Sequence, residues 1–358
     1  MTMSVNEFVF FASFLLFIGL MLAIDLGLFN KKNDKLSLKE ALVRTLVWVG
    51  ISIGFYFFIR SHGNLIHGSD TLEAIGDRIQ TYSHPISIEG LGMEEAIRVY
   101  NLNLALEYLT GYLIEYSLSV DNVFVIIMIF LSFNIRQEYY KKVLFWGILG
   151  AIVMRFLFIF AVSALIQQFA WFLLIFGGIL LVVGGKMGME FFTRKDEDRI
   201  DTEHHPVVRF ASKWFSVTRE DHGEKFWIKK NGKRFLTPLF IILLIIEFTD
   251  VIFAVDSVPA VFSVTQDPYI VFFSNIFAIL GLRSLFFLVM NVMNRFHYLK
   301  LGLAVLLTFV GVKMILHHFH WLHLSTQQSL MIIAGILLVS VIASLIQNAL
   351  KQNGRETP

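Results

Sequence analysis

Three carboxylates interrupt one long apolar run of the sequence, TPLFIILLIIEFTDVIFAVDSVPAVF. They are Glu247, Asp250 and Asp256, and a second apolar stretch, EYSLSVDNVFV, carries Glu115 and Asp121. On insertion scales an ionised Asp at the centre of a lipid-facing helix costs about 2.5–3.5 kcal/mol. We therefore expect all five acids to face the protein interior, where they are paired, protonated or bound to cations.

The ligands that such a cation would find are oxygen atoms. The chain has no cysteine, and the two acid-bearing stretches contain no histidine. Neutral oxygens come from Asn122 and Ser257, each next to an acid, and from Thr249 and Asn275. Carboxylate, carbonyl and water ligands suit Mn²⁺, Ca²⁺ or Mg²⁺. The residues thus favour a divalent cation that is transported, with no permanently bound cofactor.

Basic residues inside the apolar stretches allow other interpretations. Arg155, Arg283, Lys186 and Lys313 are also expected to be buried, so the acids and bases could form a structural ion-pair network instead. A proton relay without metal is a third possibility. Asp25, near the end of the first apolar stretch, is either a gate or accessory ligand or an interfacial acid.

The spacing of the acids predicts an irregular helix. Glu247 and Asp250 lie one turn apart on one face, but an acid and the Asp six positions later do not share a face of an ideal helix. Pro259 follows Asp256 closely and removes a backbone donor. If both acids line one cavity, the helix must therefore have a wide polar face or be broken there, and a break would make a freed carbonyl available to a cation.

Membrane helices must position these residues. The 358 residues are 56% hydrophobic and only 16% charged, and the mean hydropathy is +0.66, which is typical of an all-α polytopic membrane protein. A span needs roughly 20 mostly apolar residues. Nine spans are predicted at residues 7–28, 39–59, 108–132, 143–166, 169–191, 238–263, 270–291, 299–317 and 328–348.

Lysine and arginine alternate between the connections, and this pattern predicts the orientation. They concentrate after helices 1, 3, 5, 7 and 9 and are scarce or outweighed by acids elsewhere. The positive-inside rule then places the N-terminus outside and the C-terminus in the cytoplasm. The predicted regions are 1–59 (helices 1 and 2), 60–99 (outer loop), 100–191 (helices 3–5), 192–237 (cytoplasmic loop), 238–318 (helices 6–8) and 319–358 (helix 9 and tail).

Helices 3–5 resemble helices 6–8. In helices 3 and 6, Glu115 and Asp250 are each followed six residues later by the Asp of a Val-Asp pair. Helices 4 and 7 both contain Ile-Leu-Gly before an arginine. In helices 5 and 8, VVGGKM matches FVGVKM. Each copy has three helices, so the second copy must lie upside down relative to the first. Inverted repeats of this kind are a transporter architecture with a site near the membrane midplane.

These motifs together resemble the TerC family of bacterial membrane proteins, near its Alx-like branch. The resemblance rests on SLSVDN, FTDVIFAVDSVPA, NIFAILGLRSLFF, the two Gly-Lys-Met helix ends and DLGLF, and covers about residues 105–318. Several members of that family are associated with manganese homeostasis as Mn²⁺ exporters. The resemblance implies metal-path roles for Glu115, Asp121, Asn122, Asp250, Asp256 and Ser257.

The sequence therefore predicts a secondary transporter that exports a divalent cation, with Mn²⁺ the first choice and protons a possible counter-ion. The alternative is a membrane assembly or partner protein whose buried acids only form ion pairs. An intramembrane aspartyl protease also needs two membrane Asp residues, but the Val-Asp and Thr-Asp contexts here disfavour one. We expect neither enzymatic activity nor a nucleic-acid partner, and no Walker pattern for ATP-driven pumping is present.

Histidines gather in connections that the pattern places outside. They include His62, His67, His84 and the run HHFHWLH, which begins at His317. Such residues are most often part of an interfacial belt, but metal handling or pH sensing is an alternative. Glu107, near the outer end of helix 3, is predicted to be interfacial.

Overall fold

The structure is a computed structural model. It describes residues 5–25, 38–133, 135–169, 171–193, 223–230, 233–292, 298–319, 324 and 326–353. Most of the predicted cytoplasmic loop, and His320 and His323 of the histidine run, lie outside these residues.

Helices dominate the described residues. They are α1 (Val5–Asp25), α2 (Leu38–His62), α3 (Asn64–His67), α4 (Leu72–Thr81), α5 (Met93–Ser132), α6 (Gln137–Gln168), α7 (Phe172–Thr193), α8 (Pro238–Phe262), α9 (Pro268–Leu280), α10 (Leu282–Val292), α11 (Leu299–His318) and α12 (Thr326–Asn353). A short antiparallel hairpin of β1 (Trp227–Lys230) and β2 (Lys233–Leu236) precedes α8.

A helix or a bent helix pair lies at each of the nine predicted spans. Five helices of the described residues are long and apolar enough to cross a membrane, and the count is six if α9 and α10 form one bent span. The protein is therefore a polytopic, mainly helical membrane protein. The total of nine spans and the inverted repeat stay predictions.

Of the two predicted alternatives, a break of the helix at Pro259 is wrong. Helix α8 continues without a break from Pro238 to Phe262, with Pro259 in its last turn, and the carbonyl of Pro259 accepts from the N–H of Ser263 at 3.0 Å. The irregularity lies in the next span instead. Helices α9 and α10 meet at Gly281 with a bend of 43°.

Helices α7 and α11 pack backbone to backbone through glycines. A Cβ built on Gly177 would lie 2.9 Å from Cγ1 of Ile315 and 3.1 Å from the carbonyl oxygen of Gly311. Small residues allow this close approach, which is a common way for membrane helices to associate without a hydrophobic driving force.

Gly177→Ala is therefore expected to destabilise the protein by about 1–3 kcal/mol, the usual cost of overpacking. Gly178→Ala is the matched control, because a Cβ at Gly178 meets no atom within 4 Å. Unfolding of both variants in detergent checks the prediction. Equal stability of the two variants would show that the α7–α11 contact is not tight.

Candidate cation site

Arg155 lies at the centre of a buried polar cluster between four helices. Its side chain projects from α6 and is 0% exposed, like Glu115 on α5. One guanidinium nitrogen donates to Glu115 and to Oδ1 of Asn275, the latter at 2.6 Å. The other donates to Oδ1 of Asp250 on α8 at 3.3 Å. The cluster thus joins α5, α6, α8 and α9.

The cluster holds more negative than positive charge. Arg155 supplies one positive charge, whereas Glu115 and Asp250 supply two negative charges when ionised. Oε2 of Glu115 and Oδ2 of Asp250 have no hydrogen-bond partner among the described residues. Because an unpaired buried carboxylate oxygen is costly, these two atoms are available to a cation or a proton.

A small cavity adjoins the cluster. Its volume is about 30 Å³, enough for a water-sized occupant. Asn122, Thr249 and Asp250 supply its polar wall, and the other lining side chains are mainly apolar. Nδ2 of Asn122 is also without a partner among the described residues. The sequence-predicted residues Asn122, Thr249 and Asp250 therefore line one space.

Glu247 lies close to the same cluster, against α6. It is one turn before Asp250 on α8, as the spacing predicts, and is half-buried. A Cβ at Gly150 would overlap its carboxylate. The absence of a side chain at Gly150 thus makes room for a carboxylate between the two helices.

Other predicted ligands are only partly placed. Asp121 belongs to α5, Asp256 to α8 and Asp25 to the end of α1, but their side chains lie outside the described part of the protein. Ser257 is 1% exposed, and its hydroxyl has no partner among the described residues. Within that part, no three His, Asp or Glu side chains form a group suited to a metal ion.

The four predicted basic residues have different environments. Arg155 pairs with the acids as expected, and Arg283 is buried just after the bend at Gly281. Lys186 is exposed, so the prediction that it is buried is wrong. A long lysine side chain near a helix end can reach the membrane surface. Lys313 is buried, but it donates to the carbonyl of Ser263 at 3.0 Å, away from the Arg155 cluster.

Sequence reasoning missed a second buried polar group, which we name the His84 cluster: His84, Asn103, Glu107 and Thr265. Glu107 is 0% exposed and therefore lies inside the protein, whereas its predicted depth at the membrane interface stays a prediction. Its Oε1 lies 2.9 Å from Nδ1 of His84 and accepts from Asn103 at 2.7 Å. Its Oε2 accepts from Thr265 at 2.6 Å. One sequence signal could have revealed this cluster. Polar or small residues recur every four positions along one side of α5, at Asn103, Glu107, Gly111 and Glu115.

A neighbouring group, which we name the His67 cluster, consists of Glu7, His67, Arg78 and Asp267. The His67 imidazole lies between two carboxylates, 2.7 Å from Oδ2 of Asp267 and 3.2 Å from Oε1 of Glu7. Arg78 approaches Glu7 at 2.8 Å. These contacts fasten α3 and α4 to α1 and to the start of α9.

Comparison with known proteins identifies the family of this chain. The integral membrane protein TerC family matches residues 100–352, which contain both acid-bearing helices. The chain belongs to the TerC family. The family match covers α5 to α12, and hence every residue of the Arg155 cluster.

Curated relatives of this TerC-family protein match nearly the whole chain. An uncharacterized membrane protein of Myxococcus xanthus is 39% identical over 94% of this chain and 92% of its own length. Proteins named "Putative membrane-bound redox modulator Alx" are 38% identical in Photorhabdus laumondii, over 97% and 98% of the two chains, and 39% identical in Escherichia coli K12, over 92% of both. No solved structure matches.

Proposed function

We propose that this TerC-family protein is a secondary transporter of divalent metal cations that exports Mn²⁺ from the cytoplasm. The observation that carries the proposal is the convergence of Glu115 and Asp250, the corresponding acids of the two predicted repeats, on one buried arginine. Asn122, Thr249 and Asp250 line the adjoining water-sized space, and carboxylate and amide oxygens are ligands that a hard divalent cation prefers. We place the protein in the bacterial inner membrane with its N-terminus outside.

Competition between the metal and Arg155 for the same carboxylate oxygens would drive a transport cycle. Without metal, the guanidinium neutralises part of the charge of Glu115 and Asp250. An arriving divalent cation competes for the same oxygens and loosens the contacts of Arg155 with α5 and α8. Protons that later bind the carboxylates weaken their hold on the metal. Metal and proton binding would thereby favour different packings of the four helices.

The names of the relatives suggest a role in redox balance. This chain contains no cysteine, so thiol–disulfide exchange on its own side chains is not available to it. Export of a redox-active metal would influence redox balance without such chemistry. The name of these relatives is therefore compatible with the proposed transport.

Reconstituted protein with a metal-sensitive dye tests the proposal. Wild type should move Mn²⁺ across the vesicle membrane, and Asp250→Asn should lower the flux about tenfold or more, because losing a charged ligand costs at least about 1.4 kcal/mol. Glu95→Gln is the control, since Glu95 is exposed at the start of α5.

Two further variants extend the test to acids whose side chains the structure does not describe. Asp121→Asn and Asp256→Asn should also reduce Mn²⁺ flux. Absence of flux in wild type, or wild-type flux in both of these variants, would overturn the proposal. The same assay with Ca²⁺ and Mg²⁺ determines the preferred ion.

One observation favours a second candidate function, that of a membrane assembly or partner protein. The hydrogen bonds of Arg155 to Glu115, Asn275 and Asp250 also suit a purely structural network. In that case replacement of the whole network by neutral residues should preserve activity, whereas transport requires the carboxylates.

A further inference from the structure

His84 occupies a buried position that suits proton uptake. It lies in the connection between α4 and α5, is 5% exposed, and points Nδ1 at the Glu107 carboxylate at 2.9 Å. In the tautomer that donates from Nδ1 to Glu107, Nε2 carries a bare lone pair. Nε2 is buried and has no partner among the described residues. An arriving proton would therefore bind at Nε2.

The charges around His84 favour that proton. Burial of the imidazole opposes protonation, but the charge and hydrogen bond of Glu107, together with the charge of Asp267, outweigh it and raise the pKa of His84. His67 acts in the opposite direction. The rings of Tyr82 and Tyr100 also lie near the imidazole, at 6.1 and 5.8 Å between centroids.

A second cavity lies beside this region. Its volume is about 70 Å³, and its polar lining consists of Ser83, Ser263, Thr265, Gln266 and Lys313. Ser83 and Pro85, the residues on either side of His84, both line it, and so does the Thr265 that donates to Glu107. A polar cavity of this size accommodates water.

Helix α5 connects the His84 cluster to the Arg155 cluster. Glu107 and Glu115 are two turns apart on this helix, about 12 Å along its axis. Gly111 lies midway, and a Cβ there would come within 2.9 Å of Oγ of Ser274 on α9. The glycine thus brings a serine hydroxyl against the helix between the two carboxylates.

We propose that His84, held by Glu107 and Thr265, is the proton-binding site at which the counter-ion enters this transporter from the side of α3 and α4. The proposal rests on the proposed function and adds the counter-ion and its point of entry. The proton binds to Nε2 of His84, and Glu107 stabilises the imidazolium. Thr265 connects this event to the α8–α9 connection, whose helices carry Asp250 and Asn275 of the Arg155 cluster.

The pH dependence of Mn²⁺ flux in proteoliposomes tests the proposal. Above its pKa, the protonated fraction of one histidine falls about tenfold per pH unit, and wild-type flux should follow that fall when pH is raised on the α3–α4 side. His84→Gln still donates to Glu107 but takes up no proton, so its flux should change less than about twofold over the same range. His62→Gln, an exposed histidine near the end of α2, should keep the wild-type profile.

Two readouts separate this inference from the proposed function. Mn²⁺-dependent thermal stabilisation should persist in His84→Gln, since the Arg155 cluster is intact. Histidine-labelled wild-type protein followed by NMR should show two buried imidazoles, His67 and His84, that titrate above the ordinary range. Glu107→Gln should lower the pKa of the His84 imidazole. An unchanged flux profile in His84→Gln, or a His84 imidazole that stays neutral, overturns the proton site alone. Absence of Mn²⁺ flux from wild type at every pH overturns both proposals.

Discussion

Replacement of Arg155 by Met is expected to destabilise the protein by about 3–5 kcal/mol, the usual cost of removing one partner of a buried ion pair. Glu115 is fully buried and would lose its positive partner, while Asp250 and Asn275 would each lose a hydrogen bond. Chemical unfolding of the purified protein in detergent measures the change. A variant as stable as wild type would show that Arg155 does not neutralise these acids.

Arg98→Met is the matched control for the lost charge. Arg98 forms an ion pair with Glu95 at 3.3 Å, but the two side chains are 77% and 53% exposed. Exposed pairs contribute about 0–1 kcal/mol. The two substitutions therefore remove the same group from two environments, and their difference measures the contribution of burial.

A combined variant separates transport from a structural role. Arg155→Met with Glu115→Gln and Asp250→Asn leaves no uncompensated charge in the cluster, so most of the lost stability should return. Mn²⁺ flux should not return, because two carboxylate ligands are gone. Recovery of both stability and activity would instead support the structural network and contradict the transport proposal.

The sequence predicted the helices well because a membrane imposes a simple rule. A stretch of about 20 apolar residues must be helical to satisfy its backbone in lipid, and a helix or bent pair lies at each predicted stretch. The buried state of Glu115 followed from the same physics. The cost of an unpaired charge in lipid required an interior position.

The requirement that apolar stretches be helical in lipid does not predict which distant segments of the chain contact each other. Thr265 and Glu107 are 158 residues apart, and no local pattern indicates that they meet. The two Gly-Lys-Met motifs illustrate the same limit, because Lys186 is exposed while Lys313 is buried. The environment of a side chain depends on how its helix is rotated against its neighbours, which the motif does not encode.

Asp267→Asn is expected to reduce the pH dependence of stability that comes from the His67 cluster, in which Glu7 still contacts His67 at 3.2 Å. Burial opposes the charge on His67, but Asp267 and Glu7 outweigh it and raise the pKa of the imidazole above 6.5. Burial likewise opposes ionisation of Asp267, but His67 and His84 lower its pKa below 3.8. The folded protein therefore holds a buried ion pair between α3 and the start of α9.

The two shifts determine how wild-type stability varies with pH. The raised pKa of His67 gives a contribution that is complete below about pH 6.5 and is lost as pH rises through the folded pKa. The lowered pKa of Asp267 gives a contribution that is complete above about pH 3.8 and is lost as pH falls through the folded pKa. Wild-type stability from this pair should therefore be greatest between these two values.

Asp267→Asn removes the charge of this residue but keeps its role as the N-terminal cap of α9. Asp267 caps α9 by accepting from the backbone N–H of Tyr269 at 2.9 Å, and Asn caps helices about as well as Asp. Between pH 4 and 6.5 the free energy of unfolding of the variant should be about 3 kcal/mol lower than that of wild type. Outside that range it should change less with pH than the wild-type value does. Asp70→Asn, an exposed acid after α3, should behave like wild type. A wild-type pH profile in Asp267→Asn would mean that His67 is neutral in the folded protein and that hydrogen bonds alone hold α3 in place.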